Sequence, residues 1–240
     1  MLKLLSLLFA AGKLGKLLTT GGTMLLSVVV YAWVFGWRYA VGFVLLLFIH
    51  EMGHYLAARQ RGLPVGLPTF IPFVGAWVAM KEMPKNVETE AYIGFAGPIV
   101  GGAAAMVCYF MARSYDSNLL LALSYSGLML NLFNLIPISP FDGGRITAII
   151  SPKLWFAGVP LLIALFFYHP SPMLILIALL AYPQIVRAFK GGDYDMPEGY
   201  YTTSLHTRIN YGVLYLGLVA YLALMSYEVH EMLTRLTGKI

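Results

Sequence analysis

Apolar runs of near-membrane length alternate with short polar patches along the chain. The first run covers residues 22–35. The second covers 39–58, where Glu51 is the only formal charge. A third covers 91–112 and a fourth 119–136. Two shorter runs, 154–168 and 173–189, are split by His-Pro-Ser-Pro, and a last run lies at 211–227. A helix rises ~1.5 Å per residue, so about 20 apolar residues cross a bilayer. The pattern predicts an all-α polytopic membrane protein with about six transmembrane helices. The N-terminal stretch MLKLLSLLFAAGKLGKLL interleaves lysine with leucine, and an interfacial amphipathic helix is expected there.

One apolar segment breaks the pattern. GLPVGLPTFIPFVGAWVAM, residues 62–80, carries Pro64, Pro68 and Pro72, and prolines at that density exclude a regular helix. A free loop is equally excluded in lipid, where bare backbone groups find no partner. Phe, Ile, Val and Trp alternate here with small residues, which suits short strands. A re-entrant, β-hairpin-like segment is expected at 67–80.

Composition agrees with membrane embedding. The 240 residues are 59% hydrophobic and 11% charged, with a mean hydropathy of +0.75. No stretch is long and polar enough for an appended module. One membrane-embedded domain, 1–240, is expected, with a core at about 39–150 and accessory helices at about 151–240. The net charge of +5 has a membrane explanation, so no nucleic-acid partner is expected. With the N-terminus inside, 12 basic residues, among them Arg59, Arg61, Arg145 and Lys153, fall on the cytoplasmic side. Only Arg38, Arg113, Arg235 and Lys239 fall outside. Cys108 is the single cysteine, so no intrachain disulfide can form, and packing is its expected role.

Chemistry concentrates in the second run, at FIHEMGHYLAARQ, Phe48 to Gln60. His50 and His54 stand four apart, which on a helix puts both rings on one face, able to share an ion. Glu51 leaves the same turn and can reach a water on that ion. This is the H-E-x-x-H arrangement of zinc hydrolases, with the glutamate as general base. Three ionisable residues in a spanning helix are costly unless they pair or work. A plain polar contact between helices rarely needs two histidines and an acid at this spacing. A third ligand is required, and the acids on the same side are Glu82, Glu88, Glu90, Asp142, Asp193, Asp195 and Glu198. Asp142 is the best placed. It follows a span within the loop 137–145, and Gly143 and Gly144 allow close backbone approach.

HEMGH on a spanning helix, with NLIPISPFDGGR after a later one, resembles the site-2 protease family of intramembrane zinc metalloproteases. GFAGPIVG and FIPFVGAWV extend the resemblance over about residues 46–145. It implies one zinc ion held by His50, His54 and Asp142, Glu51 as catalytic acid/base, and Asn134 as the asparagine that holds substrate or its oxyanion. Asn131, one turn earlier, is the weaker candidate. It also implies cleavage of membrane-protein substrates in or near the cytoplasmic end of a transmembrane segment. The proline-rich segment would receive the unwound substrate as an added strand, with Phe70, Phe73, Val74 and Gly75 as contacts. Many members carry an inserted PDZ domain or a CBS pair; a compact member with neither is expected. The other readings are a zinc-holding or metal-transporting membrane protein, and an inactive homologue that only binds membrane partners. Both leave Glu51 without a task.

Overall fold

The structure, a computed structural model, describes residues 2–168, 170–190 and 196–238, with side-chain surroundings from residue 19 onward. Among the described residues there are eight helices: α1 Leu2–Phe35, α2 Trp37–Gln60, α3 Val87–Tyr115, α4 Asn118–Asn134, α5 Asp142–Ile150, α6 Gly158–Tyr168, α7 Pro172–Phe189 and α8 Leu205–Thr237. A 3-10 turn, Pro152–Ala157, joins α5 to α6. Among the described residues, four helices are long and apolar enough to cross a bilayer: α2, α3, α7 and most of α8. Thr19–Phe35 and Pro152–Tyr168 are apolar but shorter. The described residues thus give an apolar helical fold with four helices of spanning length, where the hydropathy pattern predicts about six.

Two expected boundaries shift. The interfacial helix and the first run are one continuous helix, because no Pro separates them. The loop expected at 137–145 ends at Phe141, and Asp142 opens α5. Gly143 and Gly144 read as turn residues but lie inside that helix. A Cβ on Gly143 would overlap the Leu135 and Ile136 carbonyls, so the glycines serve close approach. His169, Asp193 and Asp195 lie outside the described residues.

α2 ends in a Schellman motif. Gly62 takes φ +75, its N–H donates to the Arg59 carbonyl, and the Leu63 N–H donates to the Ala58 carbonyl. Leu63 and Ala58 then pack together, which fixes where the helix stops relative to its histidines. α3 starts on Asn86, whose side chain accepts from the Thr89 N–H at 2.9 Å, a cap typically worth about 1 kcal/mol. Half of the apolar window of α2 and 56% of that of α3 are buried, against 11% for α7 and for α8. α2 and α3 are therefore the core pair, with α4 against α3 and α5 between α3 and α8.

The proline-rich segment is a two-stranded antiparallel hairpin, as its alternation predicts. β1, Thr69–Ile71, pairs with β2, Gly75–Trp77, in the register Thr69–Trp77, Phe70–Ala76, Ile71–Gly75. β1 lies on α1 and β2 on α2. The Phe73 N–H at the turn donates to the Tyr31 hydroxyl at 3.0 Å, and the Phe70 N–H to Thr23 Oγ1 at 3.3 Å. α1 thus anchors the hairpin.

Candidate metal centre

Helical spacing puts His50 and His54 on the buried face of α2, with Glu51 beside them. Asp142 joins them from 88 residues further on. Asp142 Oδ2 is 3.2 Å from His50 Nε2 and 3.2 Å from His54 Nε2, and the two Nε2 atoms are 3.1 Å apart. The three atoms form a near-equilateral triangle. A tetrahedral ion with ligand bonds of ~2.0–2.1 Å holds its ligand atoms about 3.3–3.4 Å apart, so zinc fits this triangle.

The hydrogen bonds behind the rings show what the triangle is made of. His54 Nδ1 lies 2.7 Å from the Ile93 carbonyl, which can only accept, so Nδ1 carries the proton. His50 Nδ1 lies 2.8 Å from Asn131 Oδ1, while Asn131 Nδ2 donates to the Gly127 carbonyl at 2.7 Å. That assigns the Asn131 oxygen to His50 and the proton to His50 Nδ1. In the neutral imidazoles both Nε2 atoms then bring lone pairs to a carboxylate oxygen. Three electron-pair donors facing one another repel unless a cation lies among them. A polar contact between helices would instead alternate donors with acceptors. Among the described residues, this is the only group of three His, Cys, Asp or Glu side chains placed to hold a metal ion.

The face opposite the rings is glycine. A Cβ on Gly97 of α3 would overlap both imidazoles, and one on Gly101 would overlap the Asn131 amide. Gly97 and Gly101, four residues apart on α3, thus form the floor of the centre.

His50, Glu51, His54, Asp142 and Asn134 all line one cleft of about 90 Å³. That is room for a few waters. The Asn134 amide donates to the Leu130 carbonyl at 3.1 Å, which leaves its second N–H for the cleft. The hairpin closes another wall through Ala76, Trp77, Val78 and Met80. None of the four hairpin residues expected as substrate contacts is on that wall. Phe70 is buried against Phe48, while Phe73 and Val74 are exposed around the turn that Gly75 ends. Sequence reasoning ranked Asn131 second and did not reach the Ile93 carbonyl or Arg145, a further cleft residue.

Residues 38–117 match the family model Peptidase family M50. A zinc metalloprotease of Methanocaldococcus jannaschii is 40% identical over 124 residues, 48% of this chain and 36% of that protein. A Mycobacterium tuberculosis protein named as a zinc metalloprotease, Rip3, is 32% identical over 126 residues, 49% of this chain and 32% of that protein. The aligned parts thus span about a third of these relatives' own length. A solved site-2 protease from Methanocaldococcus jannaschii aligns at 25% identity over 75% of this chain and 87% of that one, with a TM-score of 0.45. The likeness to Peptidase family M50 thus falls on the segment 38–117, the stretch that carries His50, Glu51 and His54.

Proposed function

We propose that this chain is an intramembrane zinc metalloendopeptidase that hydrolyses peptide bonds within or near the cytoplasmic ends of transmembrane segments. One observation carries the reading. Three lone-pair donors meet 3.1–3.2 Å apart, beside a glutamate, on a helix long and apolar enough to cross a bilayer. Zinc bound by His50, His54 and Asp142 supplies a water of lowered pKa and a Lewis acid for the scissile carbonyl. Glu51 accepts the proton of the attacking water and returns it to the leaving amine. Asn134 offers its free N–H to the oxygen that gains charge. Asn131 and the Ile93 carbonyl act behind the rings, holding each Nε2 toward the centre.

A transmembrane helix shields its carbonyls in its own hydrogen bonds, so the substrate must unwind before attack. β2 has one edge paired with β1 and lies on the cleft wall, so its other edge can take an extended segment as a third strand. A cleft of about 90 Å³ cannot hold a peptide, so the hairpin has to give way on binding. Phe73, Val74 and Gly75 would meet the substrate beyond the cleft, and Phe70 would support the strand from beneath.

The long helices together with the shorter apolar ones make about six passes. The 12-to-4 distribution of basic residues supports a cytoplasmic position for the C-terminal end of α2. All the site residues lie between His50 and Asp142, which supports a core at 39–150 with accessory helices after it. The partners are then membrane proteins with a transmembrane segment, within the bilayer. The test is to incubate the purified protein in detergent with a single-span peptide and map the products by mass spectrometry. New termini inside or beside the apolar segment are expected. Cleavage confined to the soluble tails would contradict the proposal.

A further inference from the structure

The cleft contains an arginine, Arg145, that the hydrolysis above leaves without a task. It stands three residues after Asp142 on α5, so the two side chains leave the same side of the helix. Its stem is fixed at the base, where its Cβ lies 3.2 Å from the place a Cβ on Gly94 of α3 would take. Its guanidinium has no hydrogen bond or ion pair among the described residues. A guanidinium half-buried in the cleft gains from any acceptor brought to it there, since hydrogen bonds to a charged group are among the stronger ones. Asp142 Oδ2 faces the two histidines, and the Glu51 carboxylate feels the arginine's charge without an ion pair or hydrogen bond to it.

The walls of the cleft show where an acceptor would come from. α5 packs on α3 and α8, whereas β2 packs on β1 and α2, and the cleft lies between them. A segment added to β2 pairs one edge with that strand and turns the other toward α5. Carbonyls on the outer edge have lost their helical partners and find no bulk water at this depth. Arg145 carries five N–H donors in a fixed fork, so it can take two carbonyls at once.

We propose that Arg145 anchors the substrate by donating to main-chain carbonyls on the edge of the unwound segment that faces away from β2. The proposal rests on the peptidase reading. Its ligand is an extended peptide backbone, so it carries no demand on side-chain sequence.

The experiment measures binding and cleavage separately. The probe is a fluorescent single-span peptide, a leucine–alanine helix with a glycine-containing centre. Binding is measured on the full-length Glu51→Gln protein in detergent, with and without Arg145→Met, and zinc content is recorded for each. Arg145→Met should weaken binding about tenfold, the loss expected for a charge-assisted hydrogen bond, with zinc unchanged and Arg145→Lys recovering part. An ester in place of one backbone amide, which weakens that carbonyl as an acceptor, should lower affinity for the Arg145 protein but not for Arg145→Met. Affinity within about twofold of the parent with zinc retained would overturn the anchor, because coupled groups shift more than that. So would loss of zinc from both Arg145→Met and Arg145→Gln, which marks a structural role. On protein with Glu51 intact, a peptide that is cut with an unchanged KM in Arg145→Met removes the anchor and leaves the peptidase reading. A peptide that binds through Arg145 and is never cut does the reverse, and one that binds neither protein removes the anchor too.

Discussion

Asn131 makes two commitments with one amide, accepting from His50 Nδ1 and donating to the Gly127 carbonyl. Its alanine variant frees the His50 ring to turn or change tautomer. Asn131→Ala should lower zinc affinity about 10–100-fold, measured by competition with a chelator, because partners behind metal ligands typically matter by that much. Asn134→Ala should keep zinc affinity, since its amide touches no ring, and slow cleavage instead. Equal zinc affinity for Asn131→Ala and the parent would remove Asn131 from the centre. Sequence alone could not choose between the two asparagines. They stand three residues apart on α4, and only the packing of α4 against α2 decides which one meets His50. The Ile93 carbonyl was out of reach for another reason: a main-chain partner leaves no mark in residue type.

At the scale of elements, α2 and α3 decide the precision of the centre. The Schellman end at Gly62 and Leu63 fixes the length of α2, and Gly97 lets α3 come against the rings. A single methyl is predicted to be felt. Gly97→Ala should cost about 1–3 kcal/mol through overpacking and should reduce bound zinc, measured by thermal unfolding and metal analysis. The hairpin makes a different prediction. Val78→Pro removes one N–H beside the free edge of β2 and touches no ligand, so cleavage should fall about fivefold, the worth of one hydrogen bond, with zinc unchanged. Unchanged cleavage would rule out strand addition there. The HEMGH helix and the hairpin were legible because periodicity and proline density are local signals. The start of α5 at Asp142 was not. Gly143 and Gly144 look like a turn until the Leu135 and Ile136 carbonyls are seen against Gly143.

The whole molecule adds depth and direction. α2 is buried along half of its apolar window, whereas α7 and α8 leave most of theirs uncovered by the rest of the protein. The centre therefore sits inside the helix bundle, reached through a cleft and not across a bare surface. The count of spans was less legible than their existence, because runs such as 154–168 are apolar enough to enter a bilayer but too short to cross it upright. Orientation is testable directly. In a Cys108→Ala background, a cysteine at Arg61 should react with a membrane-impermeant thiol reagent from the cytoplasmic side only, and one at Arg113 from the other. Reaction from the same side would overturn the topology without touching the metal centre.

The central claim is that His50, His54 and Asp142 hold a hydrolytic zinc ion whose proton transfers run through Glu51. The most direct measurement is cleavage of a single-span substrate by purified Glu51→Gln protein, with bound zinc quantified in the same sample. The account predicts one zinc per chain, as in the parent, and cleavage reduced by about 10²–10⁴-fold, the usual contribution of a general acid–base group. Full cleavage with zinc retained would contradict it.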